Sequence, residues 1–267
     1  MSTLAYTVSD SRTLLRRNLL RLRRYPSMTL MLVGMPIVFL LLFVYVFGGQ
    51  LSHGLSPALA GGHVGRGGYL NYVTPGILLV TIAAAVQGTA IVVAMDMTGG
   101  IIDRFRTMAI ARAAVLTGHV LSSLIQTLVS IAVVLGVAIA LGFRPTANAL
   151  DWLGAIGLLA LFAFALIWLA TALGLAAKSV ETASNTPMFL TLLPFLGSGF
   201  VLTATMPVGL RQFATYQPFT PVTETLRGLL TGTHVGTHAI VAVAWSVGIA
   251  GASYLWAIRL YKQRQPR

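Results

Sequence analysis

Six long apolar stretches, none of them carrying a charged side chain, limit what this chain can fold into. They run Met28–Phe47, Val73–Met95, Val120–Leu141, Trp152–Ala177, Thr186–Leu202 and Ala239–Ile258. Each is close to the ~20 apolar residues that a helix needs to cross a hydrocarbon core. A charge at the centre of a membrane helix costs roughly 2.5 to 3.5 kcal/mol, so this exclusion of Lys, Arg, Asp and Glu is the pattern of transmembrane spans. Only 9% of the 267 residues are charged, against about 25% in soluble domains. A soluble fold built from this chain would expose too much apolar surface. The net charge of +12 would suit nucleic acid, but a nucleic-acid binder gathers its cations on a soluble face, and here they lie between the apolar stretches. The chain has no cysteine, which excludes disulfides and thiolate metal sites.

The cations also set an orientation. Fourteen of the eighteen fall on one side if both ends are cytoplasmic: Arg12, Arg16, Arg17, Arg21, Arg23 and Arg24 before the first stretch; Arg104, Arg106 and Arg112 after the second; Lys178 after the fourth; Arg259, Lys262, Arg264 and Arg267 after the sixth. Arg66, Arg144, Arg211 and Arg227 fall on the other side. This is the positive-inside bias, and it requires an even number of crossings. The first apolar run is too long for the core of a cleaved secretory signal. The expectation is one all-α integral membrane domain: a cytoplasmic amphipathic arm at 1–27, a six-helix transmembrane bundle at 28–258, and a cytoplasmic tail at 259–267. The fifth stretch is short and contains Pro187 and Pro194. The segment after it, Thr203–Gly236, carries Pro207, Pro218 and Pro221, and reads as short re-entrant or outer helices between the fifth and sixth spans. The excess of arginine over lysine and the abundance of alanine fit a GC-rich bacterial source, hence the bacterial inner (plasma) membrane.

Two segments carry mechanism. In the arm, Asp10 or Ser11 can cap a helix on which Leu15, Leu19 and Leu22 share one face, flanked by Arg17, Arg21 and Arg24 and by Arg12, Arg16 and Arg23. Such a helix lies in the membrane interface with its arginines at lipid phosphates, and Pro26 ends it. Between the second and third stretches, Ile101, Phe105 and Met108 recur at helical spacing beside Arg104 and Arg106. A short amphipathic helix tied to two spans can pass force from a soluble partner into the membrane.

Polar residues inside the stretches form stripes: Thr74, Thr81 and Gly88 with Gln87 in the second, and Ser123, Gln126, Thr127 and Ser130 in the third. Stripes of this kind pack helices together or line a pathway. Phe39, Phe43, Phe162, Phe164, Phe195 and Phe200 are core, lipid-facing, or contacts for an apolar compound. His234 and His238 have the i, i+4 spacing of some zinc sites, with no third ligand evident. Glu224 and Arg227 can pair within one helix turn. No nucleophile–base or carboxylate pair suggests catalysis. The chain lacks the Gly-x-x-x-x-Gly-Lys-Ser/Thr phosphate loop. The six stretches also hold none of the ionisable groups on which proton-driven carriers depend, so energy is expected from a partner.

The segment Gly100–Gly118, with Asp103, Arg104, Phe105, Arg106, Thr107 and Met108 at its centre, resembles the signature loop of ABC-type-2 transporter permeases, especially the daunorubicin-resistance-type branch. Gln217-Pro218-Phe219-Thr220-Pro221 and Glu224-Thr225-Leu226-Arg227-Gly228-Leu229-Leu230-Thr231-Gly232 resemble the family's segment before the last span. The likeness covers nearly the whole chain, with Ala109 departing from a proline common in relatives. It implies the membrane subunit of an ABC exporter of hydrophobic or amphipathic compounds. The permease would pair with a second copy or a related permease and rest on two ATP-binding subunits, which would hold ATP and Mg; this chain would bind no cofactor and no metal. Residues 103–108 would be the coupling helix and Arg16, Arg17, Arg21 and Arg24 part of the connecting helix. Pro218, Pro221, Glu224 and Arg227 would lie at the outer gate, and Thr74, Thr81, Gln87, Ser123, Gln126 and Thr127 on the pathway or the dimer interface. A lipid, glycolipid or polysaccharide exporter is the alternative within transport, and a non-transporting scaffold the alternative outside it.

Overall fold

The computed structural model describes residues 26–52, 65–98 and 112–263. Among these the regular structure is entirely helical, as lipid demands of a chain that must satisfy its backbone groups internally. Helix α1 (Pro26–Leu41) runs directly into a π-helical turn, Leu42–Phe47, and a last helical turn, Gly48–Leu51. Helices α2 (Gly65–Thr98), α3 (Arg112–Ala140) and α4 (Ala149–Ala176) follow. Next come the short α5 (Val180–Asn185) and α6 (Met188–Leu192), a 3-10 turn at Leu193–Leu196 and another at Thr203–Thr205. Helices α7 (Val208–Tyr216), α8 (Phe219–Thr231) and the long α9 (His238–Gln263) complete the order.

Five helices are long and apolar enough to cross a membrane: Leu32–Leu51, Gly65–Met97, Leu116–Ala140, Ala149–Ala176 and His238–Tyr261. The sixth expected span, Thr186–Leu202, is not one helix. It comprises the turn after α5, then α6, the Leu193–Leu196 turn and an irregular stretch through Gly197–Leu202. Its two prolines explain the break, because each lacks the N–H that would continue the ladder.

This broken segment nevertheless keeps a definite course. Gln87 of α2 donates its amide to the Ser184 carbonyl at 3.1 Å, and the Tyr72 and Tyr69 hydroxyls donate to the Ser198 and Phe200 carbonyls at 2.9 and 3.1 Å. As the chain advances from Ser184 to Phe200, its contacts on α2 move back from Gln87 to Tyr69. The segment therefore runs antiparallel to α2 over about 27 Å of helix axis, at 1.5 Å per residue. Gly76 and Gly199 meet midway along the more irregular half. A Cβ on Gly76 would lie 2.7 Å from the Gly199 carbonyl oxygen, so the two backbones touch.

Helices α2 and α4 form the centre of the bundle. They approach closely where a Cβ on Gly174 would stand 2.7 Å from the Ala90 carbonyl oxygen. Small residues do this work because lipid supplies no hydrophobic force to press helices together. Helices α1 and α3 pack on α2, and α9 lies along α4. The short α8 is wedged among α2, α4 and α9, at the end where α2 and α4 begin and α3 finishes (the upper end below).

Helix α4 starts on a reciprocal cap. The Asn148 side chain accepts from the Asp151 N–H at 2.9 Å, and the Asp151 carboxylate accepts from the Asn148 N–H at 3.0 Å. Asn148→Ala should lower stability by about 1 kcal/mol, read as a drop in Tm by thermal unfolding in detergent.

Candidate functional site

The most chemically loaded place among the described residues lies at the upper end. Helix α8 has thirteen residues, eleven of them buried. It is too polar for that position unless its polar groups are matched, since burying an unpaired polar group costs several kcal/mol in a medium without water. They are matched locally. Thr223, Thr225 and Thr231 donate to the carbonyls of Phe219, Pro221 and Arg227 at 2.7 to 2.8 Å, the back-bonding that lets threonine sit inside an apolar bundle.

Arg227 is the largest fully buried side chain among the described residues, 1% exposed. Its Nη1 donates to Glu224 Oε1 at 2.7 Å, and its Nη2 donates to the Ser198 carbonyl at 2.8 Å and to the Tyr72 carbonyl at 3.2 Å. The guanidinium lies over the Tyr72 ring, 3.8 Å from its centroid, a cation–π contact strengthened by desolvation. Nε is buried without a hydrogen-bond partner. The planar fork of arginine suits this task, since it holds three acceptors in fixed directions while its charge stays on. The Ser198 carbonyl accepts from both Arg227 and the Tyr72 hydroxyl, which fills both lone pairs.

The irregular backbone around Ser198 is thereby satisfied, as protein-buried irregular backbone at membrane depth must be. The Gln217–Pro221 segment serves the same end. Gln217 Nε2 donates to the Leu193 carbonyl at 3.2 Å and its Oε1 accepts from the Phe219 N–H at 3.2 Å. The Thr220 hydroxyl donates to the Ala214 carbonyl. Helix α8, its leading turn, α2 and the broken segment are therefore pinned into one block.

The expected Glu224–Arg227 pair forms. Arg227 itself is buried, and its partners Tyr72 and Ser198 gave no local signal. Pro218 precedes α8 and is half-buried, and Pro221 is buried. Of the polar stripes, Thr74, Thr81 and Thr127 are buried and donate to the carbonyls of Leu70, Ile77 and Ser123 on their own helices. Ser123 and Gln126 are half-buried. Gln87 reaches across to α5, as given above. Phe39, Phe43, Phe195 and Phe200 form one cluster. The Phe195 and Phe200 rings stack at 4.7 Å between centroids, Phe43 lies 4.5 Å from Phe200, and Phe39 meets Phe195 edge-on at 5.2 Å. The cluster seats the broken segment on α1 and its π turn. Phe162 packs edge-on against Phe219 of α8, and Phe164 against Trp168.

The expectation that no titratable group lies inside a span is corrected. Helix α2 continues to Thr98 and α3 begins at Arg112, so Asp96 and His119 lie within the long helices, 2% and 4% exposed, with His119 Nε2 3.2 Å from Asp96 Oδ2. The amphipathic arm with Arg16, Arg17, Arg21 and Arg24, and the loop residues Asp103, Arg104, Phe105, Arg106, Thr107 and Met108, lie outside the described residues.

Known proteins resemble the chain along most of its length. It is 28% identical over 261 residues, 97% of this chain and 88% of the relative, to the daunorubicin resistance ABC transporter permease protein DrrB1 of Streptomyces coeruleorubidus. It is 25% identical over 175 residues, 64% of this chain and 63% of the relative, to the probable doxorubicin resistance ABC transporter permease protein DrrC of Mycobacterium tuberculosis. Residues 10–231 match the ABC-2 type transporter family. That match takes in the loop between α2 and α3, the broken segment and the Arg227 cluster. On it, this multi-pass membrane chain belongs to the ABC-2 type transporter family.

Proposed function

We propose that this chain is the transmembrane subunit of an ATP-driven exporter of hydrophobic or amphipathic, drug-like compounds, sitting in the bacterial plasma membrane with both ends cytoplasmic. Two permease copies would rest on two ATP-binding subunits that hold ATP and Mg. The observation that carries this reading is the likeness along 97% of the chain to a permease named for daunorubicin resistance, in a sequence that has no phosphate loop of its own.

Several features support it. The broken segment follows α2 for about 27 Å, close to the ~30 Å hydrocarbon core. It serves as the missing crossing, which raises five long helices to six passages and leaves both ends on one side. The upper end is then the outer one. There α8 and the broken segment, locked by Arg227, close the outer end of the path until ATP binding in the partners rearranges the bundle. At the inner end, residues 103–108 receive the movement of the ATP-binding subunits.

Reconstitution with the cognate ATP-binding subunit tests this. Vesicles holding the complex should accumulate daunorubicin or another amphipathic probe only with Mg-ATP. Arg104→Ala combined with Phe105→Ala should cut transport about ten-fold or more, the scale of a lost coupling free energy, while membrane insertion stays at the unmodified level. Full transport in vesicles that contain the permease and no ATPase would sink the proposal.

A further inference from the structure

The two helices that flank the loop proposed to receive force meet in a buried contact. Asp96 lies in the last turn of α2 and His119 in the second turn of α3, and residues 99–111 connect the two helices. The imidazole and carboxylate meet at 3.2 Å, with side-chain exposures of 5% and 3%. Along α2, Asp96 stands about 36 Å from Tyr72, so the Asp96–His119 contact lies at the opposite end of the bundle from the Arg227 cluster.

A leucine pair would join these helix ends more cheaply. A buried carboxylate is costly to hold, and buried polar contacts survive at such positions where they fix one arrangement against others. If α3 slides by one turn or rotates by a third of a turn, the imidazole leaves the carboxylate, and both groups lose this buried contact. Apolar packing would tolerate either motion.

The elements that would carry the movement onward are in contact. Near Asp96, Ala94 of α2 packs with Ala177 at the end of α4 and Ala183 of α5 in a small separate core. Gly174 of α4 lies against Ala90 and Val93 of α2. Gln87 of α2 holds the Ser184 carbonyl, where the broken segment starts, and the far end of that segment is held by Arg227.

We infer that the Asp96–His119 contact is the joint that makes α2 and α3 move as one body when the 99–111 loop is displaced. Both are positioning residues for energy coupling and touch neither substrate nor nucleotide. The inference rests on the coupling-loop reading proposed above.

The test uses the full permease–ATPase complex in lipid. The chain has no cysteine, so Tyr216→Cys, at an exposed residue of α7, can carry one environment-sensitive fluorophore at the far end of the bundle. Its response to Mg-ATP with vanadate reports motion there without needing the substrate. Asp96→Ala and His119→Ala should each reduce that response about ten-fold and leave ATP hydrolysis by the complex within about two-fold of the parent. The exchanged pair, Asp96→His with His119→Asp, should restore most of the response. Asp96→Asn, which keeps the shape and an oxygen beside the imidazole but not the charge, should fall between.

A response that falls only in proportion to ATPase rate and Tm would make the pair a plain structural contact and overturn the inference. So would an unchanged response in the alanine variants, an exchanged pair no better than they are, or failure of every variant, the exchanged pair and Asp96→Asn included, to assemble. Arg104→Ala with Phe105→Ala, run in the same assay, separates the two proposals. If the loop variant responds normally, the coupling-loop reading fails and takes the joint with it. If the loop variant is silent while the Asp96 and His119 variants respond, only the joint fails.

Discussion

Arg227→Ala should destabilise the permease by about 3 to 5 kcal/mol, the cost of breaking a buried charge pair by removing one partner, and should abolish transport with it. Three acceptors lose their donor at once: Glu224 Oε1, the Ser198 carbonyl and the Tyr72 carbonyl. The Ser198 carbonyl keeps only the Tyr72 hydroxyl, and Tyr72 loses the cation over its ring. Truncation beyond Cβ also leaves a void among α2, α8 and the broken segment. None of this is easily repaired by water, because Arg227 is 1% exposed.

The order within a short series is as informative as its largest member. Arg227→Lys keeps the charge but replaces a planar fork by a point donor, so it can serve Glu224 or the carbonyls but cannot hold all three. Its loss should be intermediate. Glu224→Gln should cost least, since the amide oxygen still accepts from Nη1 and the Glu224 side chain is 25% exposed. Thermal unfolding in detergent gives the ranking directly. An Arg227→Ala variant within about 1 kcal/mol of the parent, the ordinary scale of a single substitution, would mean that the cluster does not hold the upper end together.

How much of this was legible beforehand differs from element to element. Five long helices follow from apolar length alone, because lipid permits little else for such stretches. The break in Thr186–Leu202 was foreshadowed by Pro187 and Pro194. Its course along α2 was not, because that depends on Gly76 meeting Gly199 and on two tyrosine hydroxyls reaching carbonyls far away in sequence. Likewise the i, i+3 spacing of Glu224 and Arg227 announced one bond of the arginine cluster. The other two acceptors are backbone carbonyls, which carry no side-chain signature. His119 could have been found: Asp96 and His119 stand at the facing ends of two apolar runs joined by one short loop, and a carboxylate at such a boundary needs a cationic or donor partner. The polar stripes show the opposite case. Thr74 and Thr81 belong to one stripe and Thr127 to another, and only the structure places their hydroxyls on the carbonyls of their own helices.

Gly76→Ala should disrupt the broken segment while Gly88→Ala, on the same helix, should not. On helix propensity alone both changes are favourable by roughly 1 kcal/mol. The surroundings separate them. A Cβ on Gly76 would meet the Gly199 oxygen, Cα and carbonyl carbon at 2.7, 2.8 and 3.0 Å, whereas a Cβ on Gly88 meets nothing within 4 Å. All three obstructing atoms are backbone, so no side chain can swing aside. The segment must instead move off α2, which strains the Tyr72–Ser198 and Tyr69–Phe200 hydrogen bonds and the Arg227 contact that shares the Ser198 carbonyl. Overpacking of a close-packed contact typically costs 1 to 3 kcal/mol; lost hydrogen bonding should carry Gly76→Ala to about the top of that range, and Gly76→Val beyond it. The expected readout is a clear fall in Tm and in transport for Gly76→Ala, with Gly88→Ala at or slightly above the parent. Equal behaviour of the two alanine variants would show that α2 and the broken segment are not in backbone contact, and the sixth passage across the membrane would lose its main support.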